Sequence, residues 1–267
     1  MPMFDKNYIK NELEKINKQV SNKINIYIFG GAAMSYFDLK AATKDIDVLL
    51  TSETEIIQLT QALLQIGYQR QKDKDPIYLK MKTRDIIENE DGFRWDIFIN
   101  KVCGGLTFSE GIKKRSVPFE KFSNINTFLL SPEDLFIFKA VTSRPRDRED
   151  MFSLFSHGLD TDIIKNELQN QAKLDESKAW LSYFFVGLNE LVTKFHIIFP
   201  GFDTYRLLAE NEMIEKIILD LIQRKPQSLD NLESKVKIEK EEIKTFIKKL
   251  IDADKIILSN GKYHIKK

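Results

Sequence analysis

Apolar positions in the first 100 residues change repeatedly between a helical and a strand-like period. Residues 5–21 carry apolar side chains three or four positions apart, which predicts an amphipathic helix. Helical spacing also predicts helices at 32–39 and 53–66. Short apolar or alternating runs predict strands at 25–29, 46–50, 77–81 and 93–99. The chain therefore begins with a part in which strands and helices alternate.

The pattern becomes helical after residue 130. Strand-like segments at 116–119 and 127–130 precede Ser131 and Pro132, which favour a helix start as N-cap and first helical residue. Helices are predicted at 132–142, 145–157 and 175–199. The last of these is apolar nearly all round but contains charged residues, so it predicts burial between other helices rather than a membrane span.

The C-terminal residues predict a unit of their own. Pro200 and Gly201 interrupt the helical pattern, and Asn260-Gly261 is a strong two-residue hairpin signal because both positions need a positive φ. Helices are predicted at 212–223, 229–236 and 240–252, followed by strands at 255–258 and 262–265. Three helices and a terminal hairpin in this order resemble a winged helix-turn-helix, which we place at 211–267.

Composition excludes several classes of protein and of site. The 267 residues carry 41 Lys and Arg against 40 Asp and Glu, so the net charge of +1 by itself indicates no partner. One cysteine, Cys103, rules out an intramolecular disulfide, and the three histidines have no metal-ligand spacing that would favour zinc. The N-terminus lacks an apolar signal core, and no apolar run approaches the roughly 20 residues of a membrane span. We expect a cytoplasmic protein without a membrane partner.

The candidate chemistry lies in glycines and aspartates of the first part. Gly30-Gly31 separates a predicted strand from a predicted helix, where backbone N–H groups can approach a phosphate closely. Asp45 and Asp47 are two residues apart in a strand and therefore point to the same face. Two carboxylates there suit Mg²⁺ bound jointly with substrate phosphates, and Asp96 in a later strand is a third candidate ligand.

This arrangement resembles the nucleotidyltransferase superfamily of DNA polymerase β. The family pattern is Gly-Gly or Gly-Ser, a spacer, Asp-x-Asp and a third Asp, and thirteen residues separate Gly31 from Asp45 here. The resemblance implies an α+β fold, with a polymerase-β-like mixed sheet flanked by helices over 1–130. A helical domain at 131–210 would complete the cleft, ahead of the winged helix. Ala32 stands where many members have Ser or Thr, which leaves the activity of the site open.

A second segment is similar to the toxin branch of this superfamily, found in type IV toxin–antitoxin and abortive-infection systems. Asp134 and Lys139 fit the Asp-x4-Lys motif of that branch, and Arg144 with the charged run 146–150 also matches it. The resemblance implies that Lys139 lies near the nucleotide phosphates and that Asp147, more than Asp150, belongs to the site. It also implies an antitoxin as a partner.

The resemblance implies transfer of a nucleoside monophosphate from an NTP to a hydroxyl group, with release of pyrophosphate. Two Mg²⁺ ions would be held by Asp45, Asp47 and Asp96, and Asp96 would help to deprotonate the acceptor. The acceptor is left open between RNA, most attractively a tRNA end, a protein side chain and a small molecule.

Structural interpretations stand beside these functional ones. Gly30-Gly31 is also compatible with an ordinary strand-to-helix turn, Asp96 with an exposed strand residue, and Lys139 with a lysine at the rim of a helical core. The alternative function is a catalytically silent protein that regulates by binding nucleic acid through 211–267. That segment is only slightly basic, with 13 Lys and Arg against 10 Asp and Glu, so protein contact or positioning of an RNA acceptor is equally open.

Overall fold

A computed structural model describes residues 3–71 and 82–266, and the predicted strand at 77–81 lies outside them. The chain divides into two compact units, 1–200 and 201–267. The second unit therefore begins ten residues earlier than the predicted boundary at 211, because one helix, Phe202–Arg224, runs through that point. The predicted division at 130/131 is also absent, since the helices that follow it belong to the first unit.

A seven-stranded mixed sheet forms the centre of the first unit. Its strand order is β3-β4-β5-β2-β1-β9-β8, in which β2 runs parallel to β5 and β1 runs parallel to β9. The other neighbours are antiparallel, and β6 with β7 forms a separate two-stranded ribbon. The strands are β1 Ile24–Phe29, β2 Asp45–Leu50, β3 Gln69–Arg70, β4 Asp85–Glu88, β5 Arg94–Ile99, β6 Lys101–Val102, β7 Leu106–Thr107, β8 Val117–Lys121 and β9 Ile125–Leu129. The mixed sheet confirms the α+β class.

Eight helices accompany this sheet in the described part of the first unit. They are α1 Lys6–Asn17, α2 Gly30–Tyr36, α3 Glu53–Gln65, α4 Glu110–Arg115, α5 Pro132–Ala140, α6 Asp147–His157, α7 Thr161–Leu174 and α8 Trp180–Phe195. Ser131 caps α5 by accepting a hydrogen bond from Asp134 N, with Pro132 at the first helical position, as predicted. Helix α5 contacts α2, α6, α7 and α8. It therefore ties residues after 130 to the sheet.

The helix predicted at 175–199 is wrong in its bounds. Helix α7 ends at Leu174, and α8 begins only at Trp180. Asp175 accepts hydrogen bonds from the backbone N–H and hydroxyl of Ser177, a local turn that competes with helix formation. The prediction also missed α7 itself, which Asp160 caps through the N–H groups of residues 162 and 163.

The second unit contains three helices and a hairpin in the predicted order. They are α9 Phe202–Arg224, α10 Leu229–Val236, α11 Lys240–Asp252, β10 Ile256–Ser259 and β11 Lys262–Ile265. Asn260 and Gly261 both have a positive φ, and Ser259 pairs with Lys262, so the hairpin prediction is confirmed. Ile218, Leu232, Phe246, Leu250 and Ile256 are among the buried residues of its core.

Across the described ranges, 3–71 and 82–266, the helices are too short or too polar to span a bilayer.

Candidate functional site

The junction of β1 and α2 is built around close contacts to the next strand. Gly30 has a φ of +64°, and a Cβ atom added there would lie 2.0 Å from Oδ2 of Asp47. A Cβ on Gly31 would lie 2.8 Å from Oγ1 of Thr43. Both glycines are thus required by the packing of β2 and of the loop before it, a reason that the sequence alone did not supply.

Strand register brings the three predicted aspartates together. In the parallel pair β2 and β5, Asp47 lies opposite Asp96, and Asp45 lies opposite Arg94. Because alternate residues of a strand share a face, all four side chains lie on one face of the sheet. Asp96 is buried, whereas Asp45 and Asp47 are half-buried. The structure therefore assembles a carboxylate cluster from two neighbouring strands.

Two carboxylates of this cluster, Asp47 and Asp96, resist ionisation. Burial raises the pKa of Asp47 well above its ordinary value, and the charges of Asp45 and Asp96 raise it further. Burial also raises the pKa of Asp96 to about 7, although Arg94 beside it acts in the opposite direction. A cluster with this property is complementary to added positive charge.

Arg94 supplies part of that charge. Its Nη2 donates to Oδ2 of Asp45 at 2.7 Å and to Oδ2 of Asp96 at 3.0 Å, while its Nε donates to Oδ1 of Asp96 at 2.7 Å. Within the described residues, no group of three or more Asp, Glu, His or Cys side chains is arranged so that it could hold a metal ion. The donor set nevertheless fits Mg²⁺ in chemistry, since it offers only carboxylate oxygens, the ligands that this ion prefers.

Cations and carboxylates alternate on the helical side of the site. Lys139 of α5 lies 3.0 Å from Asp147 and 2.7 Å from Asp150, both in α6. Asp150 also pairs with Lys40 at 2.9 Å, and Arg144 Nε donates to Asp147 at 2.8 Å. Burial would raise the pKa of both aspartates, but the neighbouring cations outweigh it and hold each pKa below its ordinary value. Both carboxylates are therefore ionised partners of Lys139.

A cavity of about 180 Å³ joins the carboxylate cluster to these cations. Five of the seven predicted site residues line it. Gly31, Asp45, Asp47 and Asp96 lie on the sheet side, and Lys139 lies on the helical side. The lining residues are Met3, Gly31, Lys40, Thr43, Lys44, Asp45, Asp47, Arg94, Asp96, Lys139, Arg144, Arg146 and Asp150. Gly30 instead lines a smaller neighbouring cavity, together with Cys103 and Arg144.

Two aspartates of the predicted helical segment lie away from the larger cavity. Asp147 is fully buried and does not line the cavity. The sequence favoured Asp147 over Asp150 as a site residue, but it is Asp150 that lines the cavity. Asp134 is also fully buried, where it pairs with Arg115 at 2.7 Å and accepts from the hydroxyl of Ser131. Asp134 therefore holds α4 and α5 together rather than facing a ligand.

Sequence reasoning gave no role to three cations of the cavity, Lys40, Lys44 and Arg94. Arg94 is two residues before Asp96, so strand alternation would have placed it on the same face as the carboxylates. Lys40 lies in the loop after α2, and no local pattern marks it. Thr43, which also lines the cavity, places a hydroxyl beside Gly31 in a chain that has Ala32 after the glycines.

Comparison with protein families gives one match. The model of a family described as "nucleotidyltransferase of unknown function (DUF6036)" matches residues 7–184, which is more than half of the chain. The matched range contains β1 to β9, the helix α5 that carries Lys139, the helix α6 that carries its two partner aspartates, and the whole cavity lining apart from Met3. No curated protein matches the chain.

Proposed function

The chain belongs to the family of nucleotidyltransferases of unknown function, and on that basis we propose that it transfers a nucleoside monophosphate from an NTP to an acceptor hydroxyl. The observation that carries the proposal is the placement of Asp45, Asp47 and Asp96 on one face of two paired strands. Six Lys and Arg side chains share the cavity with four aspartates, which supports a polyanionic substrate such as a triphosphate. Pyrophosphate is the leaving group.

Each part of the cavity has a task in this proposal. Asp45, Asp47 and Asp96 would hold two Mg²⁺ ions, which when bound supply Lewis-acid stabilisation of the attacking and leaving oxygens. Gly30 and Gly31 bring the backbone close to the nucleotide, and Lys139 offsets negative charge on the phosphates. Asp147 fixes the position of Lys139 and Arg144. Asp96 accepts the proton of the acceptor hydroxyl.

The acceptor and the partners belong to the same proposal. RNA is the acceptor class that we favour, with a tRNA end as the preferred acceptor. The exposed side chains of Lys44 and Arg146 border the cavity and can contact further phosphates of an RNA. A protein side chain is the second acceptor class. An antitoxin partner follows from the resemblance of the segment around Lys139 to the toxin branch.

Label transfer tests the proposal. The purified chain is incubated with each α-labelled NTP, Mg²⁺ and either total RNA or total protein, and the labelled product is resolved on gels. We expect labelling by wild type and by Asp85→Asn, a matched control because Asp85 lies in the same sheet, pairs with Arg70 and is absent from the cavity lining. Asp45→Ala and Asp47→Ala should lose labelling. Equal labelling by these variants, or none by wild type, would refute the proposal.

The winged-helix assignment of 211–267 remains a separate part of the proposal. Helix α11 would be its recognition helix, and its lysines are largely engaged within the unit: Lys240 pairs with Asp230 at 2.6 Å, and Lys244 pairs with Glu241. These pairs reduce the charge available to nucleic acid phosphates. They therefore favour the enzymatic proposal over a silent regulator that acts through DNA.

A further inference from the structure

Arg94 connects two of the three carboxylates of the cluster. It lies opposite Asp45 in the strand ladder and two residues before Asp96, so its guanidinium spans the gap between both side chains. Three hydrogen bonds of 2.7 to 3.0 Å join it to Oδ2 of Asp45 and to both oxygens of Asp96. The contact of Arg94 with Asp96 is bidentate, and its contact with Asp45 is monodentate.

The surroundings make this bridge more than a surface ion pair. The side chain of Arg94 is 19 % exposed and that of Asp96 is 4 % exposed, so solvent screens the contact weakly. By contrast, Arg84 at the start of the neighbouring strand reaches Glu53 at 3.3 Å with both side chains more than half exposed. Arg94 therefore compensates the carboxylate cluster in a way that the other arginine cannot.

The same oxygens would be needed by a divalent cation. A carboxylate oxygen that accepts from a guanidinium directs one of its two lone pairs at the N–H group, and the positive charge beside it repels a metal ion. Resting on the proposed function, we propose that Arg94 is a positioning residue that keeps the metal-free cluster assembled. Its guanidinium competes with the divalent cation for Oδ2 of Asp45 and for both carboxylate oxygens of Asp96.

This competition has two measurable consequences. Without metal, Arg94 partly neutralises the cluster, so its removal should lower the melting temperature of the metal-free protein. With metal, its removal abolishes the competitor for Asp45, so the affinity for the ion should increase. A residue that served only to support the fold would produce the first effect without the second.

Manganese binding to the full-length protein without nucleotide tests the inference. Free Mn²⁺ is measured by electron paramagnetic resonance during titration of wild type, Arg94→Gln, Arg94→Lys and the control Arg84→Gln. We expect Arg94→Gln to bind Mn²⁺ at least tenfold more tightly than wild type, with Arg94→Lys between them and Arg84→Gln unchanged. Melting in chelator should show Arg94→Gln below wild type, with a larger rise on addition of Mn²⁺.

The outcomes separate the two proposals. If wild type binds Mn²⁺ and Asp47→Asn does not, but Arg94→Gln binds no more tightly than wild type, the role of Arg94 is overturned and the proposed function stands. If no variant binds Mn²⁺, or Asp47→Asn binds it as well as wild type, both fail. Should Arg94→Gln not fold, Arg94→Lys decides the question, because it keeps the charge but cannot bridge both carboxylates. Mn²⁺ affinity equal to wild type in that variant overturns the inference.

Discussion

Replacing Gly30 by alanine is expected to disturb both the fold and the carboxylate cluster. The residue has a φ of +64°, a left-handed conformation that costs an L-residue about 1–2 kcal/mol. The new methyl group would also lie 2.0 Å from Oδ2 and 3.0 Å from Cγ of Asp47. These distances are too short for non-bonded contact, so the Asp47 side chain or the β1–α2 turn has to move.

The two contributions can be separated with a second glycine. Gly67 has a φ of +95° and open space where a Cβ would lie, so Gly67→Ala introduces backbone strain without a clash. Overpacking at a tightly packed position costs about 1–3 kcal/mol in addition. We therefore expect the free energy of unfolding to fall by about 2–5 kcal/mol in Gly30→Ala and by about 1–2 kcal/mol in Gly67→Ala.

Urea unfolding followed by circular dichroism gives these free energies, and label transfer from an NTP gives the activity. Gly30→Ala should lose transfer even under conditions where it is fully folded, because Asp47 is displaced. Gly67→Ala should transfer label like wild type. If the two variants are equally stable and equally active, the close approach of Asp47 to Gly30 does not constrain the cluster.

Three further predictions concern the helical side of the first unit. Gly187→Ala should be strongly destabilised, by about 3 kcal/mol or more in urea, because its Cβ would lie 2.1 Å from the carbonyl oxygen of Ala140 in a facing helix. A normal urea midpoint would refute this close packing. Arg115→Met should lose about 3–5 kcal/mol by leaving Asp134 buried without its partner, while the double variant Arg115→Met/Asp134→Leu should recover part of the loss. No recovery would contradict the pairing. The pKa of Asp147 lies below its ordinary value, so its contribution to stability is complete above about pH 4 and is lost as the pH falls through the lowered pKa. Asp147→Asn should therefore flatten the acid side of the melting profile, and an unchanged profile would refute this linkage.

Local patterns were sufficient for much of the sheet and for placing three aspartates that the structure brings together. Alternation in two short strands identified Asp45, Asp47 and Asp96, and the turn chemistry of Ser131-Pro132 and Asn260-Gly261 fixed a helix start and a hairpin. These features depend on residues close in sequence. The family match over residues 7–184 agrees with the class of protein that they indicated.

What local patterns missed depends on contacts between distant residues. The role of Arg94 follows from the pairing of β2 with β5, which are separated by more than forty residues of chain. Asp150 lines the cavity and Asp147 does not, although both lie near the start of α6. Which of the two faces the cavity depends on how α6 packs beside α5. The break between α7 and α8 is an exception, because it arises from local hydrogen bonds between Asp175 and Ser177 that apolar periodicity does not register.

The parallel ladder between β2 and β5 has a consequence for how the carboxylate cluster forms during folding. Moving β5 by a single residue would turn Trp95, which is fully buried, toward the cavity and Asp96 into the core. Every hydrogen bond of the ladder could re-form after such a shift, but the three carboxylates would no longer meet. Correct pairing of the sheet and assembly of the reactive groups are thus one event in folding. A chain whose β5 pairs out of register therefore lacks the carboxylate cluster, even where its sheet is otherwise complete.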